Sequence, residues 1–170
     1  MRKILMAVIA VVAGAAVAVG SASAAGGSPH FIKNASSASL SGANLVCKFK
    51  EAGLASGSVE TVTCSATQSV VYECVNGGGK NPSASNKKAF ATTVSKTGTF
   101  TADKNGNIVG SLTLAPASAS SLGFSCPPGQ TVTLVSVSYS NVSVTDSTSG
   151  ASIALPGTFS YSNPSAPPVR

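Results

Sequence analysis

An all-β fold is predicted by three features of the chain. Short runs rich in Val, Thr, Ser, Phe and Tyr follow one another, punctuated by Gly, Asn, Pro and Asp. Beyond the first two dozen residues, no stretch of about twelve keeps a helical apolar period. Four cysteines follow an export leader, which reads as two disulfides in an oxidising compartment. The 170 residues fit one domain plus the leader. Charged residues make up only 9% of the chain while Val, Ile, Leu and Phe recur throughout, which excludes charge-rich disorder.

The leader comes first. Arg2 and Lys3 precede an apolar run from Ile4 to about Val19, and Ala22 and Ala24 form an Ala-x-Ala cleavage site. Residues 1–24 therefore read as a signal peptide. A membrane anchor would need ~20 apolar residues, and the run falls short. The mature protein is expected to be extracellular, detached from the membrane and monomeric. Loss of Arg2 and Lys3 takes the basic count from eleven to nine against five acids, a net +4. That mild excess favours attraction to an anionic cell-wall polymer. Nucleic acid is not expected, because the cations form no dense stripe with interleaved aromatics.

Eight strands are expected in residues 25–162. They are 35–40, 44–50, 58–65, 69–75, 90–102, 108–114, 131–145 and 151–161. Alternation is clearest in Leu45, Cys47, Phe49 and in Val70, Tyr72, Cys74. In 131–145 the apolar parity changes, so a bulge is expected there. Asn105-Gly106 between two alternating runs marks a hairpin. Asp103, Asn105 and Asn107 space their oxygens like a calcium loop, but no bidentate Glu follows, and the hairpin explains them. Leu155-Pro156-Gly157-Thr158 reads as a turn. Seven or eight strands with regular turns fit a single immunoglobulin-like sandwich. The tail 163–170, with three prolines, is expected to be disordered.

Three cysteine pairings are possible. If 44–50 and 58–65 form a hairpin with Lys50 opposite Thr61, Cys47 faces Cys64. A turn at Thr67-Gln68 would leave Cys64 and Cys74 about three residues out of step, ~10 Å, beyond disulfide reach. The choice is therefore Cys47–Cys64 with Cys74–Cys126. That second bridge pins the polar Asn76–Lys88 loop to the Pro-rich segment 115–129. A rigid, stapled end is where a binding surface is expected, with Asn76, Lys80, Asn81, Lys87 and Lys88 as its candidate residues.

Reactive chemistry has little material. His30 is the only histidine and lies near the mature N-terminus, no Gly-x-Ser-x-Gly elbow occurs, and the acids are scattered. Most of those acids read as turn or solvent-face residues, although Glu51 and Glu60 could meet across the first hairpin. No catalytic residue, metal ligand or cofactor is expected. Trp is absent, and Tyr72, Tyr139 and Tyr161 sit in strand patterns, so a sugar-stacking platform is unsupported.

The segments Ser28-Pro-His-Phe-Ile-Lys33, Cys74-Val-Asn-Gly-Gly-Gly-Lys-Asn-Pro82 and Phe124-Ser-Cys-Pro-Pro-Gly-Gln130 resemble those of a group of small secreted bacterial proteins of no assigned activity. So do Lys50-Glu-Ala-Gly-Leu54 and Val137-Ser-Tyr-Ser-Asn-Val142. That resemblance implies a secreted all-β domain with Cys74 joined to Cys126, and no functional residues. The Ala52-Gly-Leu54 turn and Thr101-Ala-Asp-Lys-Asn-Gly106 are also similar to enediyne-carrier apoproteins, exported sandwiches that hold a small apolar ligand. The expected function is thus a non-catalytic extracellular binding module, with a carrier of a small apolar ligand as the alternative and a secreted hydrolase third.

Overall fold

Strand alternation in this chain sorts side chains into a buried set and an exposed set. The computed structural model describes residues 27–79 and 86–167. The expected signal peptide therefore lies outside the described residues. Nine strands occur among them: β1 (His30–Phe31), β2 (Ser37–Ser41), β3 (Asn44–Ala52), β4 (Val59–Asn76), β5 (Lys87–Thr101), β6 (Ile108–Leu114), β7 (Gln130–Asp146), β8 (Ser152–Leu155) and β9 (Phe159–Ser162).

All pairing is antiparallel and builds two sheets. In the first, β3 is central, with β6 along one side and β1 and β2 sharing the other. In the second the order is β5-β4-β7, and β8 and β9 share the far side of β7. The chain is an all-β sandwich with two disulfides. Its core holds Leu45, Cys47 and Phe49 from β3 against Val62, Cys64 and Val70 from β4 and Val137, Tyr139 and Val144 from β7. The Phe49 ring stands edge-on to Phe31 at 5.9 Å and to Phe100 at 5.1 Å. Gly110 makes room for this: a Cβ there would lie 2.6 Å from Phe100 Cε1 and 2.7 Å from Phe49 Cζ.

Both expected disulfides are present, with Cα separations of 6.4 Å for Cys47–Cys64 and 5.6 Å for Cys74–Cys126. The route to the first differs from expectation. Segments 44–50 and 58–65 are not a hairpin, because β3 and β4 lie in opposite sheets and the bridge crosses the core. Nor is there a turn at Thr67-Gln68. The runs 58–65 and 69–75 are one continuous strand, since no Gly, Pro or Asn stands between them to break it.

The Asn105-Gly106 turn also changes sheet, taking β5 to β6, rather than closing a hairpin ladder. Gly106, at φ 71°, presses against the Leu54 carbonyl, and Leu54 N–H donates to Gly106 O at 3.1 Å. The two sheet-changing turns are thereby bonded side by side at one end of the sandwich. A side chain at Gly106 would be both strained and in collision.

In β7 the register shifts twice against β4, leaving Val135 as an extra residue at one shift and bulging near Asn141 (φ 51°) at the other. The first shift explains a further difference. Asn163 donates from its backbone to Val135 O and from Nδ2 to Leu134 O, both at 2.8 Å. Asn163, the first residue of the expected tail, is thus anchored to β7.

Candidate functional site

At the end of the sandwich marked by Cys74–Cys126, segment 115–129 lies along the inner side of β4. Gln68 holds it as a neighbouring strand would: Nε2 donates to Ala115 O at 3.4 Å, and Oε1 accepts from Ala117 N at 2.9 Å. Tyr72 O–H donates to Ala117 O at 2.8 Å, and burial pushes its phenol pKa up. Phe124 stacks on Tyr72 at 6.3 Å and meets Phe90 edge-on at 6.0 Å. The Lys88 ammonium stands 5.1 Å from the centre of the Phe90 ring. Two side-chain anchors, an aromatic cluster and a covalent staple therefore fix this segment.

Of the five candidate loop residues, Asn76, Lys87 and Lys88 are among the described residues. Lys87 and Lys88 are the first residues of β5, paired with Glu73 and Tyr72, so they belong to a strand rather than a loop. Being consecutive, they point to opposite faces. Asn76 ends β4 opposite Gln130, and its Oδ1 accepts from Gly78 N at 3.1 Å. Lys80 and Asn81 lie outside the described residues.

The acids depart further from expectation. Glu51, Glu60, Glu73 and Asp146 are buried, and only Asp103 stands in solvent. Three of the four extend strands whose inner parity was already visible: Glu51 follows Leu45, Cys47, Phe49; Glu60 precedes Val62, Cys64; Asp146 follows Val142, Val144. Parity was the signal that could have found them. It could not have found Glu73, which falls on the outward parity of β4. Asp103 accepts from Asn107 N at 2.9 Å and Asn105 N at 2.8 Å, and these bonds hold its carboxyl below the usual carboxylate range. Its Oδ1 serves the turn.

His30 Nδ1 lies 2.8 Å from the Ser28 carbonyl, an exposed local contact that places no serine or acid on the ring. Among the described residues no group of three or more His, Cys, Asp or Glu side chains is arranged to hold a metal. No helix among them is long and apolar enough to cross a membrane.

Two surfaces escaped the sequence reading. The outward face of the β5-β4-β7 sheet carries hydroxyls strand after strand. Thr63 and Thr97 meet at 2.8 Å, Ser65 and Ser143 at 3.0 Å, and Ser138 and Ser160 at 2.9 Å. At the opposite flank, a groove of about 330 Å³ opens between β2 and the β8–β9 pair, lined by Ala38, Ile153, Leu155, Pro156 and Phe159 with Lys33 at its mouth. No family model matches the chain, and neither a curated protein nor a solved structure matches it.

Proposed function

We propose that this chain is a secreted, non-catalytic binding module that associates through its lysines with an anionic polymer outside the cell. The observation that carries this reading is the burial of four of the five acids. Lys33, Lys48, Lys87, Lys88, Lys96 and Lys104 are exposed, and of the acids only Asp103 shares the surface with them. Close to the surface the field is therefore dominated by the lysines, because most of the negative charges face inward. Two disulfides are compatible with an extracellular location. The stapled end offers a rigid boundary for contact.

Cosedimentation of residues 25–170 with a poly(glycerol phosphate) polymer tests this. Binding is expected at about 50 mM salt and should be largely lost by about 300 mM, as attraction between exposed charges is screened. The double variant K48E/K50E should weaken it. Equal retention by a neutral glycan, or no binding at low salt, would contradict the reading. A second reading, a carrier of a small apolar ligand, draws support from the groove between β2 and β8–β9. Its volume lies near the lower limit for small-molecule sites.

A further inference from the structure

Opposite the stapled end, three buried carboxyl groups lie between the sheets, with Asp146 and Glu60 near enough to act on the charge of Glu51. Glu51 is the last residue but one of β3 in one sheet; Glu60 is the second residue of β4 and Asp146 the last of β7 in the other. Each has one oxygen satisfied. Ser149 O–H donates to Glu51 Oε1 at 2.7 Å, Ser58 O–H to Glu60 Oε1 at 2.6 Å, and the amides of Thr148 and Ser149 to Asp146 Oδ1 at 2.8 and 3.3 Å. The remaining oxygens, Glu51 Oε2, Glu60 Oε2 and Asp146 Oδ2, are buried and accept no hydrogen bond. Residue exposure is 0%, 4% and 0%.

Among the described residues no basic side chain answers these oxygens. On β3, Lys48 and Lys50 occupy the opposite, outward parity. His30 of β1 turns its ring to Ser28 O. Opposite Glu51, β6 offers Ile108, and opposite Glu60, β5 offers Phe100. The sheet-changing turn contributes Asp103, bonded to its own loop, and Lys104, which is exposed. The turn 147–150 and β8 carry no titratable group. Buried acceptors left without donors are costly, and two like charges in contact are costlier.

We infer that a proton carried by Glu51 and directed at Asp146 latches the two sheets together at this end, and that its loss loosens the latch. Glu51 belongs to one sheet, and the Asp146–Ser149 turn belongs to the other. That turn is strapped to β4, with Ser147 N–H donating to Thr61 O at 3.0 Å and Thr61 N–H donating to Thr148 Oγ1 at 3.1 Å. With the proton in place, one carboxyl donates to the other. Without it, two anions face each other, with Glu60 beside them.

The surroundings of Glu51 favour its protonated form. Burial, assisted by Asp146 and Glu60 and opposed by the Ser149 hydrogen bond, raises the Glu51 carboxyl from 4.5 to about 7. The folded state then holds a proton that the unfolded chain has released. This stabilisation is complete below about pH 4.5 and is lost as pH rises through about 7.

The test compares urea unfolding of the oxidised protein with that of E51Q across this range. Glutamine keeps an acceptor for Ser149 and supplies a permanent donor towards Asp146. Relative to E51Q, the wild-type unfolding constant should rise roughly ten- to a hundredfold between about pH 4.5 and pH 8. D146N should give the same flattening, since its Oδ1 still accepts from Thr148 and Ser149. Parallel pH profiles for wild type and both variants would overturn the latch, as would failure of both variants to fold. A rise in wild-type stability on adding calcium at pH 8 would overturn it too, by putting a cation where the proton is placed.

Discussion

Truncation of Phe49 to alanine is expected to cost about 3–5 kcal/mol, measured by urea unfolding of the oxidised mature protein. The ring is buried, edge-on to both Phe31 and Phe100, and in contact with the space left by Gly110. It joins β1, β3, β5 and β6, so its removal opens a cavity that several strands would have to close together. Those strands cannot do so freely, because Cys47–Cys64 fixes the distance between the sheets two residues away. Val109 on β6, 76% exposed, is the control, and its alanine variant should change stability by less than about 0.5 kcal/mol. A loss below about 1 kcal/mol for Phe49→Ala would mean that the sheets do not meet on this ring.

Serine substitution of both Cys74 and Cys126 is expected to cost about 2–4 kcal/mol, since the bridge closes a separation of 52 residues. The local consequence distinguishes this staple from a general cross-link. Segment 115–129 would then be held by Gln68, Tyr72 and the packing of Ala119, Leu122 and Phe124. Hydrogen exchange at the Ala117 amide should accelerate more than exchange at core amides such as Val62 and Val144. Equal acceleration everywhere would contradict the picture of one segment docked on an otherwise independent sandwich.

Much of this architecture is legible in the sequence. The strand 108–114 has the bounds that its composition predicts, and Leu45-Cys47-Phe49 shows its buried face directly. Layer membership is not legible. Alternation reads the same whether the next strand lies alongside or across the core, so Cys47 opposite Cys64 looked like a hairpin pair. Gln68 misleads for a related reason. A polar residue at mid-strand suggests a turn until segment 115–129 arrives, 47 residues later in sequence, to take up both ends of its amide. The acids teach the reverse lesson. Strand parity puts Glu51, Glu60 and Asp146 inside, whereas the usual exposure of carboxylates leads to reading them as turn or solvent-face residues. Here parity prevailed, because each sits at a strand end where a serine hydroxyl or a turn amide can reach one of its oxygens.

A doubly cross-linked sandwich with four of its five acids turned inward, proposed to work in an oxidising medium, is the central claim. The most direct test is intact-mass and disulfide mapping of the protein recovered from culture medium under native conditions. The expected result is a chain beginning at Ala25, four hydrogens lighter than its reduced form, with Cys47 linked to Cys64 and Cys74 to Cys126. Free thiols, or a Cys64–Cys74 link, would contradict it.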